Sequence, residues 1–123
     1  MQVRIYHNPR CSKSREALRL IRERGIEPTV IDYQKTPPGE AEIEQLLDLL
    51  GKEPRQIMRT QDDLYQTANL DDQGLVRETL IRALIQRPAL LERPIVVVDD
   101  ARAVIARPPE KVLEILPAVQ SAP

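Results

Sequence analysis

The chain has 123 residues, enough for one domain at about 100–200 residues each. Thirty-five of them are Leu, Ile or Val, well above the roughly 20% below which aliphatic content signals disorder. There is no Trp, no Phe and only three Tyr, which leaves little for stacking on single-stranded nucleic acid. The net charge of −1 supplies no field that draws DNA or an acidic membrane. No apolar run approaches the ~20 residues of a membrane span, and the N-terminus lacks a signal-peptide core. A cytoplasmic protein without nucleic-acid or membrane partners is expected.

Gln2–Tyr6 alternates, with Val3 and Ile5 on one face, and predicts a strand. His7-Asn8-Pro9-Arg10 is a loop. A helix follows, capped by Ser12 or Ser14, with Ala17, Leu18, Leu20 and Ile21 inward and Gly25 at its end. Thr29–Tyr33 reads as a second strand, which makes a βαβ unit with parallel strands. Thr36-Pro37-Pro38-Gly39 breaks the chain, and Glu40–Leu50 is an amphipathic helix closed by Gly51. Short helical patterns follow at 55–58 and 62–67, with a longer one at 74–86, and no convincing strand lies in 52–91. Residues 40–91 therefore read as a helical insertion.

After Pro94, Ile95-Val96-Val97-Val98 is a continuous apolar run of the kind found in buried strands. Asp99-Asp100 begins a turn into Ala103–Ala106, which makes a hairpin, and Pro108-Pro109-Glu110 opens a last helix. The expected architecture is α/β: a four-stranded mixed sheet, βαβ then ββα, with a helical insertion. This is the thioredoxin-like plan, as a single domain over 1–116 with a tail at 117–123.

One Cys and one His exclude an internal disulfide. His7 and Cys11 are two of the about four ligands that structural zinc requires, so no metal is expected. Four glycines, at 25, 39, 51 and 74, exclude the dinucleotide fingerprint and the Walker-A loop. Cys11 falls between a strand end and a helix start, where free N–H groups and the helix dipole stabilise a thiolate. His7, Lys13 and Arg15 stand nearby, and the Ser14 hydroxyl is within sequence reach of the sulfur. A lone cysteine is otherwise usually buried and inert. The polar setting Asn-Pro-Arg-Cys-Ser-Lys favours the reactive reading.

Arginine suits multidentate contact with oxyanions. Arg59 stands in Ile57-Met58-Arg59-Thr60, and Arg93 and Arg107 each precede a proline at the ends of the hairpin. The C-x5-R signature of low-molecular-weight phosphatases is absent, because the sixth residue after Cys11 is Ala17.

His7-Asn8-Pro9-Arg10-Cys11-Ser12-Lys13-Ser14-Arg15, Arg93-Pro94-Ile95-Val96-Val97 and Arg107-Pro108-Pro109-Glu110 occur in this order. Together they resemble the glutaredoxin/glutathione-linked arsenate reductase family over about Val3 to Leu116. The resemblance implies a thioredoxin-like fold with a helical insert. It implies Cys11 as the nucleophile, with Arg59, Arg93 and Arg107 as oxyanion ligands. His7 and Ser14 are implied near the thiol, with Arg15 beside them as a further tuning group. It implies arsenate as substrate, glutathione as co-substrate with no bound cofactor, and glutaredoxin as the partner that supplies the second thiol. It also implies a cis Arg93–Pro94 bond that aims Arg93 at the cysteine. Ser12-Lys13 stand where the best-known members carry Gly-Thr. Two other readings belong to neighbouring classes: a non-enzymatic Spx-like regulator of the same fold, and a glutathione-dependent thiol oxidoreductase that does not use arsenate.

Overall fold

The four strands come from the two ends of the chain. In the computed structural model, which describes residues 1–117, β1 (Val3–His7) pairs in parallel with β2 (Thr29–Asp32). On its other side β1 runs antiparallel to β3 (Ile95–Val98), which pairs in turn with β4 (Arg102–Ile105). The order is β2-β1-β3-β4. β3 lies inside the sheet with every residue buried, which is why its sequence is uniformly apolar rather than alternating. Of the tail expected at 117–123, residues 118–123 lie outside the described residues.

Among the described residues the backbone forms two compact units, 1–32 with 93–117, and 33–92. The first carries the sheet and α1 (Ser12–Glu23). Val3 and Ile5 of β1 meet Val96 and Val98 of β3, Ala17 and Ile21 of α1, and Val112 and Leu116 near the C-terminus. Each fully buried aliphatic contributes roughly 1.5–3 kcal/mol. α1 stops because Gly25 takes the left-handed conformation, φ +76°, and its N–H donates to the Arg22 carbonyl at 3.0 Å. The β3–β4 loop is three residues, Asp99 to Ala101, with Asp99 and Asp100 both left-handed at φ +54° and +51° and the Ala101 N–H donating to the Val98 carbonyl at 3.0 Å. Asp99 is tied to the first strand: its N–H donates to the Gln2 carbonyl, and its carboxylate accepts from the Gln2 N–H, both at 2.7 Å.

The second unit is helical. α2 (Glu40–Leu50) buries Ile43, Leu46 and Leu47, and ends at Gly51 with φ +64°. α3 (Asp63–Thr67) is capped by the Asp62 carboxylate, which accepts from the Leu64 N–H. α4 (Arg77–Gln86) buries Leu80, Ile81, Ala83 and Leu84. Single 3-10 turns occupy Pro54–Ile57 and Pro88–Leu90, and Met58 and Leu91 form an isolated antiparallel bridge.

Three expectations are corrected. The last helix is a 3-10 segment, Pro109–Glu114; two prolines at its start lack N–H donors, and bonds such as Lys111 N–H to the Pro108 carbonyl, 3.0 Å, close three-residue turns. The α1 N-cap is Cys11, not Ser12 or Ser14. The strands β1, β2 and β4 are shifted by about one residue or trimmed at their ends, as pairing rather than periodicity sets their limits.

Candidate active site

Strand register brings the site together. Tyr6 of β1 faces Ile95 of β3, and Ile95 faces Ile105 of β4. The loop after β1, the residues before β3 and the residues after β4 therefore meet at one end of the sheet. Arg93 and Arg107 lie two residues outside the Ile95–Ile105 pair, on opposite strands. The Arg107 guanidinium donates from Nη1 to the Arg93 carbonyl at 3.0 Å. The Arg93–Pro94 peptide is cis, as expected, and so is Arg107–Pro108, which the sequence reading did not anticipate.

The cysteine loop is organised around Asn8. Its N–H donates to Ser14 Oγ at 3.0 Å, its carbonyl accepts from the Cys11 N–H at 3.0 Å, and its Oδ1 accepts from the Arg10 N–H at 3.0 Å. That last bond is an Asx turn, the local geometry asparagine favours. Asn8 and Ser14 are both buried. The Asn-Pro step marked a loop in the sequence, but not its function as the hub.

Cys11 enters α1 with extended backbone, φ −94° and ψ 122°, and is half-buried. Serine near a helix start ordinarily caps it by accepting from the first-turn N–H groups. Here the Ser14 hydroxyl turns back instead, to the Asn8 N–H and to His7 Nδ1 at 2.6 Å. The first-turn N–H groups are left for the sulfur. Burial pushes the Cys11 thiol up, but the N–H groups of Ser14 and Lys13 and then the Arg93 guanidinium outweigh it, so the thiol sits below its ordinary value. Ser14 thus acts on the sulfur through its backbone, and the expected hydroxyl–sulfur bond gives way to the bonds with His7 and Asn8.

His7 ends β1, nearly buried. Burial lowers its pKa, Asp32 opposes this, and Arg22 and Arg15 reinforce it, so the imidazole is held below its ordinary value. The neutral form is thereby favoured. Arg15 donates from Nη1 to the Pro9 carbonyl at 2.9 Å, bracing the loop. Arg59 belongs to the helical unit. Its guanidinium pairs with Asp62 at 3.0 Å, and its N–H donates to the Leu90 carbonyl at 2.7 Å.

A half-exposed, activated thiol at a helix start, beside an arginine before a cis proline, defines a thioredoxin-like thiol protein. The model of the ArsC family matches residues 6–115, and the chain belongs to that family. It is 53% identical over 116 residues to the Escherichia coli (strain K12) protein named "Uncharacterized protein YfgD", covering 94% of this chain and 97% of that one. It is 47% identical over 117 residues to an arsenate reductase of Haemophilus influenzae, covering 94% of this chain and 100% of that one. A solved structure named as an arsenate reductase of Vibrio cholerae superposes with a TM-score of 0.91 at 49% identity, over 94% of this chain and 98% of that one.

Proposed function

We propose that the protein reduces arsenate to arsenite, with Cys11 as nucleophile and glutathione and glutaredoxin as the external reductants. The observation that carries the reading is the Cys11 thiol. It is held below its ordinary pKa by the Ser14 and Lys13 N–H groups and by Arg93, in a member of a family whose similar proteins include named arsenate reductases.

Arg93 and Arg107 suit a tetrahedral oxyanion, and the helix N-terminus adds N–H donors. The resemblance alone adds Arg59 to the oxyanion ligands. The Cys11 thiolate attacks arsenic, a sulfur–arsenic bond forms, and one oxygen leaves as water after protonation. Arginines neutralise the remaining oxygens, the electrostatic contribution such sites need.

Arsenic(V) then has to gain two electrons. The chain holds a single cysteine and cannot form an internal disulfide. Glutathione displaces a second oxygen as water, giving a sulfur–arsenic–sulfur adduct. The glutaredoxin thiolate attacks the glutathione sulfur; a mixed disulfide forms, and the pair of the broken arsenic–sulfur bond stays on arsenic, now arsenic(III). Water hydrolyses the remaining Cys11–arsenic bond, releases arsenite and returns a proton to the thiol. Phosphate suits the same arginines, but thiols do not reduce it.

The test is arsenate-dependent NADPH oxidation in an assay coupled through glutathione, glutaredoxin and glutathione reductase. Turnover is expected only with arsenate and both thiols. Thiol–disulfide turnover indifferent to arsenate would favour the oxidoreductase reading instead.

A further inference from the structure

A groove of about 550 Å3 opens beside α1, lined by His7 and Pro9 and by Arg15, Leu18, Arg19, Arg22 and Glu23 of the helix. Its volume falls within the roughly 300–1,000 Å3 of small-ligand sites. Arg15, Leu18 and Arg22 recur at helical spacing and share one face of α1. Cys11, the N-cap, lies four residues before Arg15. The two are one turn apart, the Arg15 N–H donating to the Cys11 carbonyl at 3.0 Å. Pro9 and Arg15 flank the cysteine on either side in sequence; Cys11 itself is not part of the lining, and the groove borders the loop that carries it.

The surface that faces the groove is mostly apolar, built on Pro9, the half-buried Leu18 and arginine methylenes, and the lining residues carry three guanidiniums and one carboxylate. Arg15 makes no ion pair among the described residues; its Nη1 meets only the Pro9 carbonyl. Arg19 pairs with Glu16 and Glu23, and Arg22 with Glu27. Exposed pairs of this kind are weak and exchange readily for a ligand carboxylate, which arginine holds in a two-pronged grip. When Arg19 turns to a ligand, the Glu23 carboxylate is released for an ammonium group.

We propose that this groove is the binding site for glutathione, the thiol co-substrate of the reaction above; the assignment rests on that reading. Glutathione carries a carboxylate at each end, one ammonium beside the first, and a thiol between them. Its carboxylates match the arginines, and its ammonium matches Glu23. A purely acidic peptide would set an anion against Glu23. Uncharged small dithiols have no carboxylates for the arginines.

The experiment is an NMR titration with S-methylglutathione, which keeps the charges of glutathione and cannot react. The amides of Cys11, Arg15, Leu18 and Arg22 are expected to shift together and saturably. Arg22→Glu is expected to raise the KM for glutathione at least tenfold with the KM for arsenate unchanged, and Arg22→Lys to restore part of the loss. Absent shifts at these amides, equal shifts with free glutamate, or an unchanged glutathione KM in Arg22→Glu would each overturn the assignment. Saturable shifts without any arsenate reduction would leave the site standing and remove the activity. Arsenate reduction without the shifts would do the reverse.

Discussion

The Arg107 guanidinium donates to the carbonyl of Arg93 at 3.0 Å, so one arginine at the end of the hairpin holds the backbone that carries the other. Their tasks differ. Arg93 acts on the Cys11 sulfur, whereas Arg107 holds the Arg93 backbone; both are proposed to meet the oxyanion. Arg93→Ala is expected to raise the alkylation pKa of Cys11, and Arg107→Ala to raise it less. A charge-assisted contact contributes about 1.5–3 kcal/mol, so each substitution is expected to lower arsenate turnover roughly 10–150-fold. Iodoacetamide rates against pH, beside steady-state kinetics, check both statements. Equal thiol shifts in the two variants would contradict the division of tasks.

Cys11 itself is expected to titrate below an ordinary free thiol. Burial opposes ionisation, and the Ser14 and Lys13 N–H groups and Arg93 overcome it. The sign for stability follows. A depressed thiol pKa stabilises the fold above the unfolded value, and that contribution is lost as pH falls through the folded value. Cys11→Ser removes this part of the pH dependence, which denaturant titrations at several pH values can read.

Ser14→Ala separates hydroxyl from backbone. It removes the acceptor for the buried Asn8 N–H and the contact with His7 Nδ1, an expected loss of about 1–3 kcal/mol. The Ser14 N–H remains, so the alkylation pKa of Cys11 is expected to stay near that of the parent. A thiol shift as large as that of Arg93→Ala would place the hydroxyl on the sulfur after all.

His7 gives a pH signature of its own. Its folded pKa lies below the ordinary ~6.5, chiefly through burial. The fold therefore keeps its full stability above ~6.5 and loses it as pH falls through the lowered value. His7→Gln is expected to flatten the stability profile between about pH 7 and 5 relative to the parent. Parallel profiles would show that the imidazole is not held neutral.

Arg59 is assigned by resemblance, and its visible partner is Asp62. Arg59→Ala is expected to weaken arsenate turnover, in KM above all, whereas Asp62→Asn and the exposed Arg82→Ala are expected to change it little. An equal effect of Arg59→Ala and Asp62→Asn would reduce Arg59 to a structural ion pair.

Much of this arrangement was legible in the sequence for simple reasons. Ile95-Val96-Val97-Val98 reads as a buried strand because no polar residue interrupts it, and it lies inside the sheet. Cys11 reads as a strand–helix junction because alternation stops at Tyr6 and the stripe of Ala17, Leu18 and Ile21 begins soon after. The turn of the Ser14 hydroxyl away from the helix was not legible, because it depends on a buried partner at the end of β1. Asn8 escaped for a related reason: each of its bonds is ordinary, and only their convergence on one loop is informative. The 3-10 form of 109–114 was hidden because its apolar spacing, Val112, Leu113 and Leu116, suits either helix type.

The most direct test of the central claim is arsenic speciation after incubation of the protein with arsenate, glutathione and glutaredoxin. The parent is expected to convert arsenate to arsenite catalytically. Omitting either thiol is expected to stop turnover, and Cys11→Ser to abolish it with the fold intact by circular dichroism. Arsenite formation at the parent rate by Cys11→Ser, or none by the parent despite a reactive Cys11, would contradict a cysteine–arsenic mechanism.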